Sequence, residues 1–249
     1  MVSGKYSALA GAIAREQAIA NLSNNLANIS TSGYKRSNIS FESVLKEQTQ
    51  TNEARGINYN RIGKNYTDFS AGAIRTTENP LDLAIQGEGF FKVQGPNGIL
   101  YTRRGDLAIN AEGQLTTTNG LPVLDDGNAP ITVPDTDTSK VAVGEGGIIY
   151  ILGPQGSRSE VAQLAVVDVE DKLQLTRESD TTFSLKNGAL EIPSENSRIV
   201  QGALELSNVN MAEGMARMID NYRTFETYHK VLKSYSTIGE QQEELGTLG

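Results

Sequence analysis

The residues able to do chemistry are few, and their spacing does not gather them. His229 is the only histidine in 249 residues, so no second imidazole exists for a metal pair, and any Ser-His-Asp set would have to use it. It sits at helical spacing from Phe225 and Leu232, where a packed histidine is a plainer reading than a catalytic base. Gly87-Glu88-Gly89 and Gly144-Glu145-Gly146 resemble the start of a dinucleotide fingerprint. The third glycine of that pattern would fall at Lys92 or Ile149, and no helix follows either. Both read as turns between strands. No G-x-x-x-x-G-K-[ST] phosphate loop occurs. Asp125-Asp126-Gly127-Asn128 resembles a scrap of a calcium loop, but the later ligand positions and the closing glutamate are missing. A hairpin turn is the default there. Paired carboxylates for glycoside hydrolysis can be distant in the chain, and nothing selects a pair. The reading therefore assigns no catalytic residue, no cofactor and no metal.

Bulk properties narrow the classes further. Hydrophobic residues are 38% and charged residues 21%, a composition that fits neither disorder nor a membrane protein. No apolar run approaches the ~20 residues needed to span a bilayer. A formal net charge of -8 argues against nucleic acid, whose phosphates demand an excess of Lys and Arg. With no cysteine there are no disulfides, thiolate metal sites or cysteine nucleophiles. The stretch Met1 to Leu22 is not a Sec-type signal peptide, because Arg15, Glu16 and Gln17 break its apolar run.

The elements that would position any site fall into three zones. From about Ser3 to Ser30 the apolar residues Leu9, Ala12, Ile19, Leu22, Leu26 and Ile29 recur in steps of three and four, which predicts a helix ended at Ser32-Gly33. Its polar surface is unusual: Asn21, Ser23, Asn24, Asn25 and Asn28 take the place of the usual Lys and Glu. Asn is a poor helix former, so such a face suits close packing on other protein; an ordinary amphipathic helix is the alternative. Lys35 to Asn79 is polar and irregular, and Gln48 to Asn60 reads as a loop or linker. A short strand with a turn at Ser70-Ala71-Gly72 is expected within Tyr66 to Ile74.

From Pro80 to about Leu206 the chain is a run of short strands. Candidates include Leu81–Ile85, Phe90–Gln94, Ile99–Thr102, Ile148–Leu152, Gln163–Val169, Thr182–Leu185 and Ile199–Leu206. Turn signals such as Pro96-Asn97-Gly98, Glu112-Gly113, Gly153-Pro154 and Asn187-Gly188 separate them. At the C-terminal end Met211, Met215, Met218, Tyr222, Phe225, His229, Leu232, Ser236 and Gly239 recur in strict four-three steps, a coiled-coil-type seam. Ile219, Tyr228, Val231, Tyr235 and Ile238 widen its apolar surface, and Asn210 with Glu213 makes a capping box. The fold class expected is α+β. A mainly antiparallel β domain, sandwich- or barrel-like, is flanked by long terminal helices that pair as an antiparallel coiled coil. The expected divisions are residues 1–33 as the N-terminal helix, 34–80 as an extended linker or β-hairpin region, 81–206 as the β-rich domain and 207–249 as the C-terminal helix.

Three stretches together resemble the flagellar rod, hook and hook-associated family. They are Asn21-Leu22-Ser23-Asn24-Asn25-Leu26-Ala27-Asn28-Ile29-Ser30-Thr31-Ser32-Gly33-Tyr34-Lys35, then Leu81 to Val93 with Tyr101-Thr102-Arg103-Arg104-Gly105, then Gly202-Ala203-Leu204-Glu205-Leu206-Ser207-Asn208-Val209-Asn210. Length favours the rod branch over the hook. Arg223-Thr224-Phe225-Glu226 with Lys230-Val231 resembles the proximal-rod type, with the distal-rod type as the close alternative. The resemblance implies a structural subunit of the basal-body rod in the periplasm, not an enzyme. It implies export through the flagellar type III apparatus, and partners among other rod subunits and copies of itself in a helical array. Membrane insertion, nucleic acid and small-molecule substrates have no place in it. The expected assembly interface is Leu9, Ile19, Leu22, Asn25, Leu26, Asn28, Ile29, Met211, Met215, Met218, Tyr222, Phe225 and Leu232. Two rivals come from other classes: a cell-wall glycan-active enzyme using the β domain, and a monomeric binding module that holds one partner on its Met/Tyr helix.

Overall fold

The computed structural model describes residues 2–45, 58–134, 140–153, 157–186, 189–194 and 196–246. The first elements are α1 (Val2–Ala27), β1 (Ser37–Leu45), β2 (Asn58–Thr67), β3 (Ile74–Thr76), β4 (Leu83–Gln86), β5 (Phe90–Gly95), β6 (Gly98–Thr102), β7 (Leu107–Ile109) and β8 (Leu115–Thr117). They continue with β9 (Val141–Val143), β10 (Ile148–Leu152), β11 (Arg158–Gln163), β12 (Val166–Val169), β13 (Leu175–Arg177), β14 (Thr182–Leu185), β15 (Glu191–Pro193), β16 (Arg198–Gln201), β17 (Ala203–Glu205) and α2 (Met211–Gly246). The fold is α+β and its β part is mainly antiparallel. Expected turn residues 154, 187 and 188, and linker residues 48–57, lie outside the described residues.

The chain forms two compact units. The first holds residues 1–27, 37–66 and 210–249, and the second holds 28–36 and 67–209. The backbone therefore passes between units four times. Residues 34–80, expected as an extended linker or β-hairpin region, contain β1 and β2, which pair as a two-stranded sheet and belong with the helices. Ile39 and Phe41 alternate in β1, but polar neighbours keep that signal weak.

In the second unit the central sheet runs β13-β14-β6-β5-β12-β15. Alternation along β5 explains why it is buried on both faces. Phe91 and Val93 join one cluster with Leu83, Ile85, Leu115, Val123 and Ile149. Phe90, one residue out of phase, joins Tyr101, Val169, Leu175 and Phe183 on the other face. Phe69 closes that second cluster edge-on, with its ring 5.4 Å from Phe90 and 5.0 Å from Phe183.

The small motifs behave as turns. Gly87 and Gly89, at φ 108° and 117°, carry the chain from β4 to β5 in a conformation only glycine tolerates easily. Gly147 N donates to Gly144 O (2.9 Å), closing the turn from β9 to β10. Asp125 Oδ1 accepts from Ala129 N (2.8 Å), so this carboxylate serves its own loop.

Candidate assembly interface

The first unit is built on its two helices. α2 begins where the capping box placed it, with Glu213 N donating to Asn210 Oδ1 (3.2 Å). α1 stops at Ala27, several residues before Ser32-Gly33. The hydroxyl- and amide-rich run beyond it bonds locally instead: Thr31 Oγ1 donates to Asn28 Oδ1 (3.0 Å), which offers the backbone an alternative to helix. Asn28 and Ile29 thus lie in the second unit, off the helix.

The helices run antiparallel, and small residues on α1 receive large ones on α2. A Cβ on Gly4 would come within 2.5 Å of Tyr235 Oη, and one on Gly11 within 2.5 Å of Tyr228 Cζ. Near the other end, a Cβ on Gly214 would stand 3.0 Å from Leu26 Cδ2. Between them Arg15 Nη1 donates to Asn221 Oδ1 (2.9 Å). The buried side of α1 is accordingly Ala8, Gly11, Ala12, Ala14 and Ala18 rather than its larger apolar residues. Ile19, Leu22 and Leu26 are half-buried, and Leu9 is exposed.

The face that α2 turns toward α1 differs from the expected seam. Gly214, Met218, Asn221, Thr224, Phe225, Tyr228, Leu232 and Tyr235 are its half-buried positions, and all but Thr224 follow four-three steps. Met218, Phe225 and Leu232 belong to the sequence-derived seam, and Tyr228 and Tyr235 to the stripe that widens it. Hydrophobicity alone missed Gly214, which makes room for Leu26, and Asn221, which bonds Arg15. Met211, Met215, Ile219 and Tyr222 are left 50%, 52%, 54% and 55% exposed. His229 is exposed too, its ring 4.5 Å from that of Phe225. Replacing Gly11 with leucine should wedge Tyr228 outward and cost the helix pair about 1–3 kcal/mol, the usual range for overpacking. Thermal melting followed by helical circular dichroism would read it.

Asn25 has a role inside the unit. It is buried, its Oδ1 accepts from Ser37 N (2.9 Å) and its Nδ2 donates to Ser37 O (2.8 Å). This two-point clasp ties the start of β1 to α1, so its amide is already engaged within the chain.

The polar residues of the second unit likewise serve one another. Lys35 Nζ lies 2.6 Å from Glu205 Oε1, and Arg103 Nη1 lies 3.2 Å from Glu205 Oε2, with all three side chains buried. Gly72 N also donates to Glu205 Oε1 (2.8 Å), Gly33 N donates to Glu205 O (2.8 Å), and Lys35 donates to Ser70 O (2.7 Å). Burial pulls Lys35 below the ordinary lysine value, against the upward pull of Glu205. Beside this cluster Asn208 accepts from Arg36 N (2.7 Å) and donates to Asp68 O (2.8 Å), while Arg36 pairs with Asp68 (2.7 Å). The N-terminal and C-terminal motifs, about 170 residues apart, are thus stapled to each other.

Three carboxylates of this unit are held below their usual range although burial alone would raise them. Hydrogen bonds from Ser70 and Arg36 act on Asp68; those from Arg104, Ser32 and Thr118 act on Asp106; those from Tyr101 and Lys92 act on Glu191. A depressed folded pKa means stability present above about pH 4 and lost as pH falls below it. Urea midpoints of the β unit should therefore drop between pH 6 and pH 3, and a flat profile would contradict this account.

The terminal helices thus carry an apolar stripe left exposed, and the charged groups of the β unit largely bond to one another, as in a structural subunit rather than around an open site. Comparison with known proteins agrees. Residues 6–35 match the model of the flagella basal body rod protein family, 84–151 that of the flagellar hook protein FlgE/F/G D1 domain, and 200–241 that of the flagellar basal body rod FlgEFG protein C-terminal region. The chain is 31% identical to the flagellar basal-body rod protein FlgF of Caulobacter vibrioides, over 91% of each chain. It is 33% identical to FlgF of Salmonella typhimurium over 84% of each. It is 31% identical to FlgG of Buchnera aphidicola from Acyrthosiphon pisum, over 91% of this chain and 92% of that one. The chain belongs to the flagellar basal-body rod protein family, as a structural rod subunit of the FlgF type.

Proposed function

We propose that this subunit sits in the proximal rod and polymerises as a helical array through the outer face of its terminal helices. The observation that carries this is the stripe Met211, Met215, Ile219 and Tyr222, large apolar residues that α1 leaves uncovered. Tyr6, Leu9 and Ile13 are similarly exposed on α1. Exposed apolar stripes of this kind mark contact surfaces. In this reading α1 and α2 interlock as a coiled coil, the sheets of the β unit stack as a sandwich, and each subunit meets the next through unlike surfaces related by a screw rotation. The chain reaches the periplasm through the flagellar export apparatus without a Sec signal, and it acts mechanically, without cofactor or catalysis.

The test separates folding from assembly. Met215→Asp combined with Tyr222→Asp alters exposed positions, so helical content should change by little, since surface changes usually cost within about 0.5 kcal/mol. Incorporation into basal bodies and swimming should be lost. Normal motility in the double variant would remove the helix face from the interface. Detectable turnover of a cell-wall glycan would favour the enzyme reading instead.

A further inference from the structure

The central sheet of the β unit has an opening between two of its inner strands. β6 pairs with β14 only at Thr102 with Thr182 and at Tyr101 with Phe183. Continuing that register would set Leu100 opposite Ser184 and Ile99 opposite Leu185, and these pairs do not form. On its far side β6 stays paired with β5 as far as Gly98, and β14 stays paired with β13 as far as Leu185. Among the described residues, the facing edges at Gly98–Leu100 and Ser184–Leu185 have no backbone partner. A cleft of about 540 Å³ lies there, with Ile99, Leu100, Leu121 and Leu185 as its apolar lining and Glu178 as its one charged side chain.

Diverging strand edges present unpaired N–H and C=O groups at sheet spacing. The ligand that completes them is another extended backbone, with side chains at alternate positions entering the apolar lining. We propose that the cleft takes β2 of a second copy of this chain by strand addition. β2 lies in a two-stranded sheet, so among the described residues one of its edges is unpaired. Such a sheet is marginal alone and gains from a third strand. Within Asn58–Thr67 the only charged residues are Arg61 and Lys64, which makes it a basic strand in a chain of net charge -8. Lys64 and Tyr66 stand two residues apart and share a face. Lys64 is exposed and Tyr66 is 48% exposed, which suits one to Glu178 and the other to the leucine-lined wall. The proposal rests on the rod reading only for the source of the strand.

The chain has no cysteine, so paired cysteines report without background. Full-length S184C and full-length Y66C, purified, mixed and oxidised at assembling concentration, should give a disulfide-linked heterodimer. E178K in the S184C partner should lower its yield about fivefold, by replacing attraction with repulsion. K64E in the Y66C partner should restore it. Absence of the S184C–Y66C product overturns the proposal, as does a product insensitive to both charge changes. Incorporation of the Met215→Asp, Tyr222→Asp double variant into basal bodies reports separately whether the helix face assembles, so the rod reading stands or falls on its own.

Discussion

Gly105→Ala is expected to leave the β unit unfolded or severely destabilised, by about 4 kcal/mol or more, the range reserved for changes that cannot be relaxed away. A Cβ at Gly105 would lie 1.7 Å from the carbonyl oxygen of Leu83. The obstacle is backbone, and it belongs to the innermost part of β4, where Leu83 and Ala84 are buried. The same segment supplies a bond that cannot be given up cheaply, since Leu83 N donates to Gly105 O (2.9 Å). Moving either strand to admit one methyl group breaks that bond and disturbs the core around Leu81, Leu83 and Ile85. Gly120→Ala is the control. Nothing lies within 4 Å of a Cβ there, although its φ of 79° adds a modest backbone cost. Chemical denaturation of both variants decides the matter: a Gly105→Ala midpoint no lower than that of Gly120→Ala would refute the steric account.

Glu205→Ala should cost about 3–5 kcal/mol, because it strands two buried cations at once. Lys35 and Arg103 share the Glu205 carboxylate, and Gly72 N loses its acceptor as well. The loss comes mainly from the orphaned charges rather than from any large net gain of the native trio. A second variant makes this distinction measurable. Removing all three charges together, as Lys35→Met, Arg103→Met and Glu205→Leu, should be far milder than Glu205→Ala alone. If the triple variant is the worse of the two, the trio contributes true net stabilisation and the desolvation argument fails. Arg103 also lies 5.4 Å over the ring of Phe90 and donates to Gly87 O (2.8 Å), so some packing loss accompanies its replacement.

Local signals were legible in the sequence and distant ones were not. β10 at Ile148–Leu152 and β14 at Thr182–Leu185 have the bounds their apolar runs predicted, because turn residues flank both. Gln163–Val169 was read as one strand but is two, β11 and β12, separated at Leu164 and Ala165. Ile199–Leu206 likewise splits at Gly202, whose φ is 71°. The side of α2 that packs on α1 draws on both apolar stripes, Met218, Phe225 and Leu232 with Tyr228 and Tyr235, while the buried face of α1 is mostly glycine and alanine, which a hydrophobicity pattern undervalues. Contact between Lys35 and Glu205 was beyond any local pattern, since their separation is decided by the whole topology. Both residues stood inside motifs quoted from the sequence, yet nothing local said that one motif binds the other.

The staple between the two motifs also fixes when the β unit can be finished. A polypeptide delivered end-first, from a ribosome or a narrow conduit, would have Lys35, Asp68 and Arg103 outside early, while Glu205 and Asn208 emerge only after four-fifths of its length has passed. Until then the entering segment holds to Ser70 and Asp68, and two cations await their counter-charge. Completion of this cluster is therefore a late event by construction.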